Sequence, residues 1–371
     1  MPTPSLLIVP ARFKTGKLYS QIPTSGAGDF TVSRNTEARR VGPDGLIASV
    51  ASGIPRLDYY TSGGVTGCPA LLVEPAATNL ALHSRDLTNA VWSGTNVTTA
   101  KNAVGADGVA SGATRLTATA ASGTVLQALS HASQNRIFSA YVRRVTGTGA
   151  IQMTTNNGTT WTTVTISSLY TQVACAAQTV ASGTIGFRMA VSGDVIEVDF
   201  TQGEVGPVAT SPIPTTAGTG SRSADAVSVT GAVSGSIGQT EGTIYVEVVL
   251  RSLDIARRIF GISDGTASNR IALTMAASEL RVIKDGATTL LPTATSAGTL
   301  KVALAYSSAG LAISVNGSAV ATDATSGVGT YNRVDLGQTE AGAAQFNDRI
   351  RAAALYTTRL TNAELQSLTT L

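Results

Sequence analysis

The chain has 371 residues and a formal net charge of +3, and charged residues make up only 13% of it, against about 25% in an average globular domain. Its basic residues cluster no more closely than in Arg-Arg pairs, so the sequence predicts no basic face for nucleic acid. No apolar segment approaches the roughly 20 residues of a membrane-spanning helix, so no membrane insertion is expected. Residues 1–9 lack the charged and apolar regions of a signal peptide, which favours synthesis in a cytoplasm.

Small and hydroxyl-bearing residues take the place of the missing charges. This composition favours β-sheet with tight turns, and 43% hydrophobic residues are too many for a disordered chain. The length predicts two or three domains, because one core rarely serves more than about 250 residues. The predicted fold class is all-β: two tandem β-sandwich (jelly-roll) domains with an N-terminal extended arm and a short C-terminal helix.

Residues 1–75 are predicted to form an N-terminal arm and docking region. Residues 5–9 are a candidate strand that Pro10 ends, and Pro23 with Gly26 and Gly28 predicts a loop. Two interpretations stay open: the arm docks on another protein, or it folds back onto the first compact domain as an extra strand.

Residues 76–210 are predicted to form the first sandwich. Short apolar segments recur about every ten residues between Gly, Asn and Ser, as strands of a sandwich do. The Asn157-Gly158 dipeptide is a hairpin signal within this region. The candidate strands are residues 113–118, 124–129, 136–144, 151–155, 161–166, 171–177, 184–191 and 195–202.

A linker rich in Pro, Gly and Ser is predicted at residues 211–226, and a second sandwich at residues 227–371. The turn signals of this sandwich are Asp264-Gly265, Asp285-Gly286 and Asn316-Gly317. Its candidate strands are residues 243–250, 258–263, 270–275, 279–284, 300–306, 311–315 and 349–356.

The C-terminal segment predicts a short helix. Thr361 and Glu364 have the spacing of a capping box. Leu360, Leu365 and Leu368 are then expected to face the core of the second sandwich.

An ordered series of short motifs runs through residues 34–92. It includes the turn dipeptide Asp44-Gly45 and a strand that Pro75 ends. The series resembles a pattern of tailed-bacteriophage structural proteins, among fibre, spike and tail-associated proteins, because several motifs recur in the same order. The matching residues include Arg34, Asp44, Gly45, Arg56, Asp58, Tyr59, Cys68, Glu74, Thr78, Asn79 and Trp92.

This resemblance implies a virion component and names no chemistry. Its expected location is the virion, assembled in the cytoplasm of a bacterial host, and its expected partners are other virion proteins. A homo-oligomer is expected, with a trimer favoured, because weak sugar contacts gain from multivalency. The middle region of such proteins is similar to carbohydrate-binding modules, and residues 349–368 resemble the end of a concanavalin A-like or laminin-G-like domain.

Catalytic motifs are missing from the sequence. The two histidines, His83 and His131, stand in no metal-binding or nucleophile context, and His83 is interpreted as a structural hydrogen-bonder. Glu197 and Asp199 alternate to one face of a strand and are the best acid pair for a glycosidase, although a solvated sheet face is the simpler interpretation. No enzyme activity and no cofactor are therefore predicted.

Metal sites and disulfides are not predicted either. Calcium could be held by loop acids of the second sandwich, for which Asp264 and Asp348 are the candidates, but no dense acid cluster supports it. Cys68 and Cys175 are interpreted as buried small hydrophobic residues.

Five residues are candidate carbohydrate contacts, because sugar sites combine aromatic faces with a few polar groups. Asn156 and Trp161 flank the Asn157-Gly158 turn, and Tyr331, Asn332 and Arg333 lie in a loop of the second sandwich. A packing role is the alternative for each of them.

Three functions follow from these observations. The first is a non-enzymatic fibre, spike or decoration protein that adheres to host surface glycans. The second is a purely structural adaptor or capsid decoration without a sugar site, and the third is a glycan-cleaving enzyme. The first two rank close together.

Overall fold

The structure is a computed structural model that describes residues 2–62, 65–253, 256–276, 279–289 and 296–371. In this part of the chain it is almost entirely β-structure with one short C-terminal helix, which confirms the all-β prediction. Inter-residue contacts divide the chain into two compact units. Unit 1 comprises residues 1–45, 50–75 and 223–371, and unit 2 comprises residues 46–49 and 76–222.

The strands are numbered in chain order. The first are β1 (Leu6–Ile8), β2 (Phe13–Lys14), β3 (Lys17–Leu18), β4 (Phe30–Ser33), β5 (Ala38–Val41), β6 (Ile47–Val50), β7 (Leu57–Asp58), β8 (Thr61–Ser62), β9 (Val65–Thr66), β10 (Ala70–Val73) and β11 (Ala77–Asn79). Next come β12 (Ser93–Thr95), β13 (Val97–Ala103), β14 (Ala113–Ala118), β15 (Gly123–Ala128), β16 (Gln134–Thr146), β17 (Ile151–Thr154), β18 (Thr162–Val164), β19 (Thr171–Ala174), β20 (Gln178–Val180), β21 (Thr184–Met189), β22 (Val195–Val205) and β23 (Gly220–Arg222). The last are β24 (Ala226–Thr230), β25 (Glu241–Leu250), β26 (Arg257–Ser263), β27 (Arg270–Ala276), β28 (Glu279–Lys284), β29 (Ala287–Thr289), β30 (Gly298–Ser307), β31 (Gly310–Val315), β32 (Ala321–Asp323), β33 (Arg333–Leu336) and β34 (Asp348–Tyr356), and they precede helix α1 (Asn362–Thr369).

Unit 1 is a sandwich of two antiparallel sheets. An eight-stranded sheet has the order β32-β31-β30-β25-β34-β10-β7, with β1 also paired to β34, and a nine-stranded sheet has the order β2-β3-β4-β24-β33-β26-β27-β28-β29. Side chains of both sheets meet in one apolar core, to which Ile244 and Val246 contribute from one sheet and Phe260 and Leu273 from the other. Burial of these alternating side chains is the main stabilisation of such a sandwich.

Residues 1–75 contribute strands to both sheets of unit 1. Leu6 on β1 lies opposite Leu355, Leu71 on β10 lies opposite Ile350, and Val32 on β4 lies opposite Val227. The predicted arm therefore supplies strands to the same unit as residues 223–371. Of the two interpretations left open, the extra-strand one fits this arrangement, although these strands join the C-terminal sandwich and not the first one.

Unit 2 is a second, smaller sandwich. A five-stranded sheet has the order β12-β15-β21-β17-β18, and a six-stranded sheet has the order β13-β14-β22-β16-β19, with β20 also paired to β16. Its core joins Val125 and Phe187 from the first sheet to Leu116, Phe138 and Ile196 from the second.

The segment 211–226, predicted as a linker, is packed. Ile213, Thr215 and Arg222 are buried in unit 2, and Asp225 is buried in unit 1. Strand β23 pairs with β11, so that Thr78 lies opposite Ser221. The composition of this segment predicted a loose linker. That prediction failed because the hydrogen bonds that fix the segment come from residues distant in the chain, which composition does not show.

Local signals predicted the turns and the helix well. Asp285 and Gly286, with φ of 49° and 80°, connect β28 to β29 in a two-residue hairpin that needs positive φ at both positions. Thr361 Oγ1 accepts from the Glu364 N–H, and the Glu364 carboxylate accepts from the Thr361 N–H, which completes the predicted capping box of α1. Leu360 and Leu365 are buried against the eight-stranded sheet.

Candidate functional site

Unit 2 contains a cleft of about 560 Å³, which is within the usual range for small-ligand sites. Three chain segments form it: the turn after β11, the loop between β13 and β14, and the segment before β23. The lining residues are His83, Arg85, Asp86, Lys101, Val109, Ser111, Gly112, Pro214, Thr215 and Thr216. This set of residues is called the cleft below.

Arg85 is the best-fixed side chain of the cleft. Its Nε and Nη2 atoms donate to the two carboxylate oxygens of Asp199 at 2.8 and 2.9 Å, and Nη2 also donates to Asp107 at 2.7 Å. The guanidinium lies 4.1 Å from the centre of the Phe200 ring. Burial alone would lower the pKa of Arg85, but the bonds to both carboxylates outweigh it and raise the pKa. Arg85 is therefore a rigid cation that still reaches the cleft.

Close backbone packing holds this arginine in place. A Cβ atom on Gly105 would lie 2.5 Å from Arg85 Nη2 and 2.5 Å from Asp107 Oδ1, and one on Gly112 would lie 2.9 Å from Arg85 Nη2. The loop between β13 and β14 can thus wrap the guanidinium only because these two positions have no side chain.

Three non-glycine residues in or beneath the cleft have a positive φ. His83 and Ser111 line it with φ of 47° and 54°, and Phe200, beneath Arg85, has φ of 46°. Non-glycine residues rarely adopt positive φ, and residues in such conformations often cluster at binding sites.

Several polar groups of the cleft are free to bind a ligand. The His83 ring and the hydroxyls of Ser111 and Thr216 have no hydrogen-bond partner within the residues that the structure describes. The backbone of the same segments is fixed, since the His83 N–H donates to the Thr216 carbonyl at 2.7 Å. The expectation that His83 is a structural hydrogen-bonder therefore holds for its backbone and fails for its ring.

Lys101 adds a second cation. Its ammonium group donates to the carbonyl oxygen of Gly112, and burial lowers its pKa. Arg85 and Lys101 face three carboxylates in and behind the cleft, those of Asp86, Asp107 and Asp199. Two positive charges against three negative ones leave the cleft nearly neutral.

The proposed acid pair of β22 is engaged by arginines. The Glu197 carboxylate accepts from Arg115 at 2.6 Å and from Arg143 at 2.6 Å. Burial would raise its pKa, but these two arginines lower it. Burial raises the pKa of Asp199, although Arg85 and the N–H groups of Ala106 and Phe200 donate to it. Neither carboxylate has an oxygen free of strong donors, so the pair has a structural explanation.

Asn156 and Trp161 lie together at the turn between β17 and β18. The Asn156 side chain accepts from the Thr160 N–H at 2.9 Å and so orders this turn. The guanidinium of Arg188 lies 4.5 Å from the Trp161 ring centre, and Gly158 packs against the same ring. Arg188 thus stacks on the Trp161 ring, which stays half-buried.

Tyr331, Asn332 and Arg333 lie in unit 1, away from the cleft residues in the chain and in a different unit. The Tyr331 ring is 1% exposed and its hydroxyl donates to the Gly327 carbonyl at 2.8 Å, so it is a core residue. Backbone groups of Asn332 bond Ser263 and Gly231, and Arg333 forms two bonds of 2.8 Å to Asp335. The Tyr331 ring therefore has no exposed face for a sugar, and the hydrogen bonds of Asn332 and Arg333 give these two residues structural roles.

Three residues of the motif series, Arg34, Arg56 and Glu74, form a buried ionic network in unit 1 with Asp225. Arg56 donates to Glu74 at 2.6 Å and also to Asp225. Asp225 accepts in addition from Arg34 at 3.0 Å and from the Glu74 N–H at 2.9 Å. All four side chains are buried, so these residues have a packing role in this chain.

Other motif residues have similar roles. Asp58 accepts from Arg349 at 2.5 Å and from the Val41 N–H at 2.7 Å. In unit 2 the Asn79 amide donates to two carbonyls and accepts two N–H groups, and the Trp92 indole donates to the Leu82 carbonyl at 3.1 Å. The remaining motif positions are the turn residues Asp44 and Gly45, half-buried Tyr59, Thr78 on β11 and Cys68.

The cysteine prediction was half correct. Cys175 is buried, and burial raises its pKa to about 11. Cys68 is exposed, because it lies in the short segment between β9 and β10 outside any sheet.

The two candidate calcium acids are engaged by hydrogen-bond donors. Asp264 accepts from Thr266 and Asn269, and Asp348 accepts from Arg251 and Arg257. In the described ranges, no group of three or more His, Cys, Asp and Glu side chains could hold a metal ion. Within the same ranges, no helix has the length and apolarity to cross a membrane.

Comparisons with known proteins add little. No protein-family model and no curated protein match the chain. Among solved structures, a carbohydrate-binding module of the Ruminococcus gnavus IT-sialidase, bound to α2,3-sialyllactose, is 19% identical with a TM-score of 0.32, over 36% of this chain and 84% of the module. The NanB sialidase of Streptococcus pneumoniae is 17% identical over 38% of this chain and 26% of its own, with a TM-score of 0.32. The Trypanosoma rangeli sialidase is 14% identical over 39% of this chain and 26% of its own, with a TM-score of 0.33. TM-scores this low assign neither a ligand nor an activity to the chain.

Proposed function

We propose that the protein is a non-enzymatic component of a bacteriophage virion, and that the cleft of unit 2 binds a glycan of the host surface. The observation that carries the binding proposal is the cleft itself. It combines a rigid guanidinium with an imidazole and two hydroxyls that have no partner among the described residues. A saccharide hydroxyl can donate to one such group and accept from another, which this mixed set allows.

The near-neutral charge of the cleft favours an uncharged sugar. An acidic sugar would meet Asp86 in the cleft and the negative charges of Asp107 and Asp199 behind it, and the two cations of the cleft are already engaged by protein acceptors. A neutral hexose or N-acetylhexosamine has only hydroxyl and amide groups to satisfy. We therefore place the ligand in the class of neutral surface glycans.

The virion assignment depends on the motif series of residues 34–92. Such a component would sit in the particle beside other virion proteins and would form a homo-oligomer, with a trimer favoured. A monovalent contact through a few hydrogen bonds is weak, and several copies on one particle would raise its effective affinity.

Glycan-array binding with matched histidine variants tests the proposal. A lost hydrogen bond weakens binding by about 1 kcal/mol, so the double variant His83→Ala/Thr216→Ala should bind its best array ligand roughly tenfold or more weakly. His131→Ala is the matched control, because it removes the only other histidine, which bonds the Ala132 carbonyl of its own loop. Equal binding by all three proteins would contradict the proposed site.

A purely structural role is the second candidate. Burial of Arg34, Arg56, Asp58 and Glu74 favours it, since these four residues of the motif series are inside unit 1 and have little surface for a ligand. No binding to any arrayed glycan, together with incorporation into particles, would leave this role.

A further inference from the structure

Arg258 is a buried arginine without a counter-ion. It lies on β26 in unit 1, and the residue is only 4% exposed. It forms no ion pair within the described residues, and its Nε atom has no hydrogen-bond partner there. Leaving a charged group buried and uncompensated is costly, so such a group calls for a physical explanation.

The acids nearest to Arg258 are occupied by other side chains. Asp335 accepts two bonds of 2.8 Å from Arg333 and one of 2.9 Å from Gln338. Glu340 is paired with Arg270. Burial and the positive charge of Arg270 lower the pKa of Arg258 to about 10. The cluster contains three guanidinium cations and two carboxylates. One positive charge therefore stays unbalanced. The cations are Arg258, Arg270 and Arg333, and the carboxylates are Asp335 and Glu340.

Further donors without partners lie on the same face of the nine-stranded sheet. Thr274 is directly opposite Arg258 in the β26–β27 pair, and its neighbours Leu273 and Met275 are in the core, so its side chain faces away from it. Its Oγ1 atom and the Nε atom of Arg270 are buried and have no partner in the described ranges. Arg258 Nη1 lies 3.5 Å from the position of a Cβ on Gly261, so the guanidinium extends over this glycine.

We propose that this face of unit 1 binds one oxyanion group, a carboxylate or a phosphate, through Arg258 with Arg270 and Thr274. An oxyanion would balance the unpaired charge and accept from donors that otherwise stay unsatisfied. Arg270 and Thr274 are only half-buried, and the exposed turn of residues 341–344 lies beside Arg258, since its Ala344 carbonyl accepts from the Arg258 N–H at 3.0 Å; an anion would enter from this side. The site is separate in chemistry from the cleft, which suits neutral ligands.

Thermal unfolding at constant ionic strength tests this site. Sodium chloride is replaced stepwise by sodium phosphate or by sodium glucuronate, which distinguish a phosphate from a sugar carboxylate as the source of the oxyanion. A ligand that binds only the folded state raises Tm with its concentration. We expect this rise for the wild type and for Arg351→Met, a variant of a part-exposed arginine on β34 of the eight-stranded sheet that is paired with Glu247. Arg258→Met should keep only the general salt effect that all three proteins share.

Direct binding supplies the second readout. Equilibrium dialysis of the wild type against labelled phosphate and labelled glucuronate should find one anion per chain for at least one of the two. Binding of neither anion would overturn the proposal, even if Arg258→Met failed to fold. An Arg258→Met protein with the same anion-dependent rise in Tm as the wild type would overturn it as well.

Discussion

The buried network of unit 1 predicts a large loss of stability on substitution of Arg56 by methionine. Arg56 is fully buried and donates to Glu74 at 2.6 Å and to Asp225. Removing one partner of a buried ion pair costs about 3–5 kcal/mol, because the remaining charge stays in the interior. Asp225 retains Arg34 at 3.0 Å and Glu74 retains Arg251 at 3.7 Å, which places the expected loss near the lower end, at about 3 kcal/mol.

Urea unfolding followed by far-UV circular dichroism measures this loss. For slopes of about 1–3 kcal/mol per molar urea, Arg56→Met should lower the midpoint by about 1 M or more. Arg351→Met is the matched control, because Arg351 is 39% exposed and its pair with Glu247 is expected to contribute only about 0–1 kcal/mol. The double variant Arg56→Met/Glu74→Met should lose less than the sum of its single variants. A loss for Arg56→Met as small as that of Arg351→Met would refute the reasoning.

Three further predictions follow. Gly105→Ala should destabilise unit 2 and weaken glycan binding, because its Cβ would lie 2.5 Å from Arg85 Nη2; urea unfolding and the array measure both. His131 should titrate below its ordinary pKa of 6.5 in an NMR titration, because burial and then a neighbouring arginine lower the pKa. The unfolded chain, with its ordinary pKa of 6.5, then binds the proton more readily than the folded one. The contribution of His131 to stability therefore falls as the pH drops from above 6.5 to below the lower pKa of the folded protein. Cys68 should react quickly with a thiol reagent in the folded protein, whereas Cys175 should react only on unfolding.

Each of these predictions has an outcome that contradicts it. Gly218→Ala is the control for Gly105→Ala, because nothing lies within 4 Å of its Cβ position; equal stability of the two variants would contradict the close packing around Arg85. A His131 pKa at or above the ordinary value would contradict the second prediction. Rapid reaction of both thiols in the folded protein would contradict the third.

Local sequence signals predicted much of the fold. The strands of unit 2 coincide closely with the predicted ones, for example Ala113–Ala118 and Thr184–Met189, because alternation and turn residues are properties of neighbouring positions. The pairing of Leu6 with Leu355 could not be predicted, since the strands of residues 1–75 are two to four residues long and their partners are distant in the chain.

The candidate site was harder to predict than the fold. Aromatic residues directed attention to Trp161 and Tyr331, but Arg188 stacks on the ring of the first and the core encloses the second. No sequence motif marks Arg85 or Lys101 as binding residues. They lie in different segments of the chain, and only the fold brings these segments together. Gly105 and Gly112 are the one sequence feature that could have pointed to this site. Their role cannot be recognised without the structure, because it depends on the Arg85 side chain that they enclose.

The most direct test of the cleft is an NMR titration of the two histidine rings. The chain contains only two histidines, so a protein labelled in its imidazoles gives two sets of ring signals. On addition of a neutral glycan selected on the array, the His83 signals should shift with saturation and the His131 signals should stay unchanged. Saturable binding of the glycan without any shift of the His83 signals would contradict the central claim that the cleft is the binding site.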